Sequence, residues 1–475
     1  MKKEGNQRRV TPLNAWAFSF ACAIGWAAFV MPGTVFLPRG GVRGSILAFV
    51  LGGAAMCVIA LCYHYLGNLH PEQGGIYRLL EAAADRRTAY AAAWGMGLAH
   101  MCCIPLNAKA MAMLIRVMLE EIFGLDFEVI LFGSDTLLLE AVLIVICLFL
   151  FGMINIRGLK QTARVQTAGA LILLGGIVIM LAAAVSASEK GAAAFTPADP
   201  PETGFFPAFL SIFLIMPWAF VGFDSLSKIS QELSFPVRKV GWIMIIAILC
   251  GTFAYVANIL ITLLGMPEGF DGWPAYLASL ENLPGIEGFP VATAARRSMG
   301  RIGTFIFFAS CISATLTGLV GFFTSISRLL SQMAERRMLP GALSKIDPKH
   351  GTPVNAIWTV VVLALLLSLM RDSFDFIEEV ASAGTSLGFG LVAWTTLRNA
   401  LARKNRKYAA AGAAGTVLCL GFLGVMALRL PGLQSAMRFR SWFLLMVWVL
   451  LGIANYSYFT RNREKSEIDP EQLKK

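Results

Sequence analysis

Apolar residues in this chain come in long unbroken runs separated by short polar segments. They show neither the alternation of a half-buried strand nor the single apolar stripe of a soluble helix. Twelve runs stand out: Asn14 to Leu37, Ile46 to Leu66, Tyr90 to Met118, Leu137 to Ile156, Thr167 to Val185, Phe206 to Ile229, Val240 to Leu264, Ile302 to Ala334, Val354 to Met370, Phe376 to Leu397, Tyr408 to Leu428 and Trp442 to Phe459. Each has at least 17 residues, enough for a helix to cross or nearly cross a hydrocarbon core about 30 Å thick. The first follows Lys2, Lys3, Arg8 and Arg9. It is too long for a signal-peptide core and has no small-residue cleavage site, so it reads as a retained helix. The pattern predicts an all-α membrane protein of twelve transmembrane helices with both ends on one side.

Two runs carry breaks. The first contains Ala23-Ile24-Gly25-Trp26-Ala27 and then Met31-Pro32-Gly33; the sixth contains Met216-Pro217-Trp218 and Phe220-Val221-Gly222-Phe223-Asp224. They lie five runs apart. Gly- or Pro-interrupted segments at matching places in two halves point to an inverted-repeat transporter, in which unwound backbone lines a polar cavity. Amides opening the half-helix after Gly25 would face an anion, and carbonyls closing the half-helix before Gly222 would face a cation. That pairing suits a zwitterion.

Composition agrees: 57% of the 475 residues are hydrophobic and 15% charged, against roughly 25% charged in an ordinary soluble domain. In a soluble chain the net +11 would suggest nucleic acid. Sorted by the predicted loops, 28 Lys and Arg against 11 acids fall on the side of the two ends, and 11 against 17 on the other. Basic residues stay cytoplasmic, so both termini are expected in the cytoplasm of a multi-pass cell (cytoplasmic or inner) membrane protein. The expected partners are a small-molecule substrate and the lipid bilayer, not nucleic acid. The nine Cys all fall inside apolar runs without CxxC or His at metal spacing, so they read as packing residues and no cofactor is expected.

Four stretches carry a resemblance. Ile24-Gly25-Trp26-Ala27-Ala28-Phe29-Val30-Met31-Pro32-Gly33, Pro71-Glu72-Gln73-Gly74-Gly75-Ile76-Tyr77, Phe220 to Asp224 with Gln231-Glu232 and Pro236-Val237-Arg238, and Ser327 to Leu330 through Leu339-Pro340 to Gly351-Thr352-Pro353-Val354-Asn355-Ala356 stand in order. Together they resemble the amino acid–polyamine–organocation (APC) superfamily of permeases. The resemblance implies the LeuT-like five-plus-five inverted repeat plus two C-terminal helices. It divides the chain into an amino-terminal segment 1–13, a transport core 14–397, two additional helices in 398–460 and a tail 461–475. By position it puts carboxylate-binding amides on Gly25, Trp26 and Ala27 and amine-binding carbonyls on Ala23, Trp218 and Val221, with Trp218 also where some members place an aromatic gate. Phe220 and Gly222 belong to the same stretch. Phe220 is grouped with the gating or coupling residues and Gly222 with the substrate-binding ones. Two departures stand out. Ala27 replaces the second Gly of the usual Gly-x-Gly and crowds the carboxylate approach. Leu173 occupies the place of a fifth-span Lys in some proton-coupled members, which removes the simplest argument for proton coupling.

The tally counts charges toward the span ends with the adjacent loops and leaves out two ionisable residues within predicted spans, Lys109 and Asp224. Lys109 either snorkels to the outer interface or faces the cavity as a selectivity residue. Asp224 is a candidate for holding a substrate amine, exchanging a proton or capping the next half-helix, and Lys228 one turn on offers a structural pair. Ser313 and Thr317, with Ser310 and Thr315, are candidate sodium ligands or simply bond their own helix. His100 and Asn107, seven residues apart on one face, line the pathway or bond between helices. The expected function is secondary transport of an amino acid or related amine by alternating access, as symport or exchange driven by Na+ or H+. The rival is a permease-like nutrient sensor. An enzyme is not expected, since the spans hold no nucleophile–base or metal constellation.

Overall fold

The computed structural model describes residues 10–124, 138–188, 190–200, 204–283, 285–368, 370, 373–428 and 437–468. The charges counted at residues 2–9 and 469–475 and the start of the fourth run at Leu137 lie outside them. Among the described residues the regular secondary structure is helical, apart from an isolated bridge between Val10 and Leu233. In order the α-helices are α1 Pro12–Ala23, α2 Ala27–Met31, α3 Leu37–Leu69, α4 Ile76–Ala83, α5 Arg86–Phe123, α6 Leu138–Ile156, α7 Leu159–Ala187, α8 Phe205–Phe213, α9 Met216–Ala219, α10 Ser225–Lys228, α11 Val240–Leu264, α12 Trp273–Ala278, α13 Pro290–Glu335, α14 Val354–Ser368, α15 Ser373–Ala402, α16 Arg406–Ala427 and α17 Phe439–Ile468.

Among the described residues nine helices are long and apolar enough to cross a membrane. The twelve apolar runs exceed that number at identifiable places. The first run is split between α1 and α2, the sixth among α8, α9 and α10, and the ninth is the 15-residue α14. Helices also outrun the apolar stretches because their ends are set by caps rather than by the hydrocarbon boundary. Asp85 caps α5 by accepting the Thr88 amide (2.9 Å), and α13 begins at Pro290 and kinks at Gly300. Its capping bonds, from Thr88 N–H and hydroxyl, hold the Asp85 carboxyl below its usual range.

Helix α13 packs against α7, α5 and α1; α15 packs against α16 and α5; α3 packs against α8 and α11. Small residues allow the close crossings expected where lipid gives helices no hydrophobic drive to associate: a side chain on Gly384 of α15 would meet the Gly95 carbonyl of α5 at 2.5 Å. The outward faces are apolar, with Val142, Ile146 and Leu150 on α6, Trp242, Ile246 and Leu249 on α11, and Phe443, Met446 and Leu450 on α17 all exposed. Contiguous apolar surface of this kind is a lipid-facing surface. On the side of the amino end a polar layer closes the bundle. There Val10 pairs with the segment at Glu232 and Ser234, Arg328 pairs with Glu232, Arg78 with Glu335, and the Gly75 amide bonds the Ser227 carbonyl at 2.9 Å.

Candidate functional site

The first break begins where α1 ends. Ile24 is extended (φ −107°, ψ 105°), its amide bonding Phe20 O, and the next helical bond is Ala28 N–H to Gly25 O at 3.2 Å. Amides 25–27 therefore stand at the start of a half-helix. Just beyond, Pro32 brings no amide and the turn widens into a π-helix over Pro32–Phe36, as expected where a ring displaces the i−4 carbonyl.

The second break is longer. Between Phe213 and Ser225 the chain makes only the single turn of α9, and Gly222 takes φ +115°, a conformation that favours glycine. The two breaks touch, for a Cβ on Gly222 would lie 2.6 Å from the Cys22 carbonyl oxygen. Side chains hold the interrupted backbone: Tyr255 Oη donates to Ala219 O (2.8 Å), Ser19 Oγ to Phe223 O (2.9 Å), and Asp224 Oδ1 accepts from the Gly222 amide (3.2 Å).

A cleft lies at this crossing, with about 340 Å3 of empty space including its open mouth. It is lined by Cys22, Ala23, Gly25, Trp26 and Ala27 from the first break and by Trp218, Ala219 and Val221 from the second. Cys103, Leu106 and Asn107 of α5, Tyr255 of α11 and Phe322 of α13 complete it. The lining side chains carry no formal charge. Asn107 Nδ2 donates to Cys103 O (2.8 Å), while its Oδ1 is buried without a hydrogen-bond partner, near Gly25. A larger crevice, about 640 Å3, lies between the ends of α7 and α11 and the start of α13. It includes Lys190, Glu268 and Arg297 and none of the break residues.

All six backbone positions expected to bind substrate, Ala23, Gly25, Trp26, Ala27, Trp218 and Val221, line the cleft. Lys109 does not: two residues from Asn107 is about 200° around a helix, and its Nζ lies 3.5 Å from the Met370 carbonyl, away from the cleft. Phe220, Gly222, Asp224 and His100 are also outside the lining. Phe220 is packed on Tyr255, with ring centroids 5.8 Å apart. Thr317 donates to the Ser313 carbonyl of its own helix (2.8 Å), Ser310 and Thr315 bond theirs likewise, and the Gln166 amide donates to Thr317 O (2.8 Å).

Asp224 and His100 meet instead beneath the cleft in a fully buried cluster. Lys228 Nζ lies 2.9 Å from Asp224 Oδ2, 2.8 Å from His100 Nδ1 and 2.8 Å from Ser325 Oγ. Ser225 Oγ donates to Ser325 Oγ at 3.1 Å, and Cys22 Sγ is 3.5 Å from Ser225 Oγ. The sequence offered Lys228 as a partner for Asp224. It offered no signal for Ser325 or Tyr255, which are ordinary residues in apolar helices until the breaks bring polar backbone to them.

Broken helices meeting at a cleft of polar backbone inside a lipid-facing helical shell define a multi-pass membrane protein. The chain belongs to the amino acid permease family of the APC superfamily, whose model matches residues 10–453. It is 22% identical to the branched-chain amino acid permease BcaP of Lactococcus lactis subsp. cremoris, over 94% of both chains. It is 22% identical to a methylthioribose transporter of Bacillus subtilis, over 97% of this chain and 95% of that one. It is also 26% identical to the human large neutral amino acids transporter small subunit 2, over 75% of this chain, which covers 63% of that transporter's length.

Proposed function

We propose that the protein is a secondary active transporter that moves a neutral amino acid across the cytoplasmic membrane by alternating access. In this reading twelve spans form a five-plus-five inverted repeat followed by two further spans, with both ends in the cytoplasm. The observation that carries the proposal is the cleft at the crossing of the two breaks, bounded by the residues that open α2 on one side and by those of the second break on the other. The substrate carboxylate sits on amides 25–27, where the half-helix dipole favours negative charge. The ammonium sits between the carbonyls of Ala23 and Val221, with Asn107 Oδ1 as a further acceptor. An uncharged lining leaves no partner for a charged side chain, and a buried unpaired charge is costly; this supports neutral substrates, as do the neutral amino acids in the names of two relatives. The bonds of Thr317 to its own helix and of Gln166 to the Thr317 carbonyl give less support to sodium at Ser313 and Thr317, because a cation there would have to displace an amide donor.

Uptake into proteoliposomes tests this, using a panel of neutral, acidic and basic amino acids and amines under a sodium gradient, a proton gradient or internal substrate. Neutral amino acids are expected to enter and exchange. Binding without movement under all three conditions would overturn transport in favour of a receptor.

A further inference from the structure

The buried cluster beneath the cleft is more than a salt bridge. A lysine has three N–H donors, and all three of those on Lys228 are directed at acceptors: Asp224 Oδ2, His100 Nδ1 and Ser325 Oγ. With Lys228 as the ammonium, Nδ1 is assigned as the accepting ring nitrogen toward Lys228 and Ser325 (3.1 Å), which puts the ring proton on Nε2. Nε2 lies 3.4 Å from Asp224 Oδ1, off the line of a hydrogen bond, and has no other hydrogen-bond partner. One positive charge is thus shared by two nitrogens against one carboxylate, and a carboxylate–imidazole contact is poised but not closed.

This geometry admits one more proton only by changing shape. If His100 gains it, Nδ1 and Lys228 Nζ become two donors 2.8 Å apart; they must separate, and the imidazolium turns to Asp224. That separation cuts the tie between α5 and α10, the piece of chain that carries the second break. Loss of the proton restores the tie.

The cluster also lies between two hollows. Toward the substrate, Cys22, Cys103 and Phe322 line the cleft; Cys22 leads to Ser225 and Ser325, and the Phe322 ring lies 5.5 Å from that of His100. On the side of the amino end a second crevice of about 360 Å3 is lined by Tyr63, His64, Gly75, Ser227 and Ser230, and the hydroxyls of Tyr63 and Ser227 are buried without partners. The remaining titratable groups facing Asp224 are Cys22 of α1, Cys103 of α5 and Tyr63 of α3. Arg328, one turn beyond Ser325, is engaged by Glu232.

We propose that His100, Asp224, Lys228 and Ser325 form a proton-exchange site, loaded from the cleft and unloaded toward the second crevice, that couples proton movement to transport. No covalent step is involved: the proton is taken from water in one hollow by the imidazole and returned to water in the other. The inference rests on the transport reading above, and its test separates the two.

Full-length protein in proteoliposomes containing a lumenal pH dye is given a mixture of radiolabelled neutral L-amino acids. With one proton per substrate, an inward gradient of one pH unit drives accumulation of about tenfold, with acidification of the lumen. His100→Gln, checked for folding by gel filtration in detergent, is expected to retain exchange of internal for external substrate and to lose both accumulation and acidification. Ser325→Ala, which removes one acceptor of Lys228 without touching the charges, is expected to shift the pH profile of uptake while leaving exchange intact. It also serves as the readable variant if His100→Gln does not fold. Exchange without substrate-driven acidification in the unaltered protein, or acidification undiminished in His100→Gln and an unmoved profile in Ser325→Ala, would overturn the proton site and leave transport standing. Absence of exchange in the unaltered protein would overturn both.

Discussion

The two helix breaks do the same thing to the backbone by different means. At the first the chain spends one extended residue, Ile24, and resumes as α2 with ordinary dihedral angles; Gly25 lies outside the left-handed range, and a Cβ there would meet only Asn107 Oδ1 at 3.4 Å. At the second the chain needs Gly222 at φ +115°, pressed on the Cys22 carbonyl, and recruits Tyr255, Ser19 and Asp224 to satisfy what it exposes. An open break can present its amides to a ligand. A crowded and bonded one is a joint, and the charged cluster sits directly behind it.

If the second break is the structural joint, its residues should dominate stability. Gly222→Ala should be the most damaging change, since positive-φ strain of about 1–3 kcal/mol and a backbone clash of similar size add up to about 4 kcal/mol, a large part of a typical folding free energy. Thermal unfolding in detergent should show little or no folded protein, and a variant that unfolds like the parent would erase the contrast. Next comes Lys228→Met, which leaves the Asp224 carboxylate buried without its ammonium and should cost about 3 kcal/mol. Adding Asp224→Asn should restore most of that, because removing both charges avoids the unpaired one. No recovery in the double variant would mean that the pair does not act as a unit. Tyr255→Phe is milder. It deletes one hydrogen bond to Ala219 O and should lower stability by about 1 kcal/mol, read as a small shift in the same unfolding curve.

The comparison also shows what was legible beforehand. The breaks were readable because Gly25, Pro32, Pro217 and Gly222 interrupt otherwise continuous apolar runs, and all six backbone positions expected to touch substrate line the cleft. Direction was not readable. Lys109 and Asn107 differ by two residues and point to different surroundings. Likewise His100 and Asn107 share a face of α5, yet His100 lies beneath the cleft and Asn107 beside it, because seven residues are about 10 Å along a helix. Ser325 was missed for the opposite reason: a serine in a membrane helix usually bonds its own backbone, and only the arrival of Lys228 from α10 gives it another role.

The smallest expected effect on stability is at the first break, and there function and folding should part. Gly25→Ala adds one methyl where the nearest atom is a side-chain oxygen 3.4 Å away and where no left-handed φ is needed, so stability should change by no more than about 0.5 kcal/mol. The same methyl stands where amides 25–27 would receive a carboxylate, beside Ala27, which already adds one methyl where the family's second glycine would stand. Substrate must approach that backbone to within about 3 Å to hydrogen-bond it. The expected result is normal unfolding with a KM for neutral amino acids raised at least tenfold. Unchanged KM with unchanged stability would show that the carboxylate binds elsewhere and that the open break is not the ligand's side of the pair. A large loss of stability would show instead that both breaks are joints.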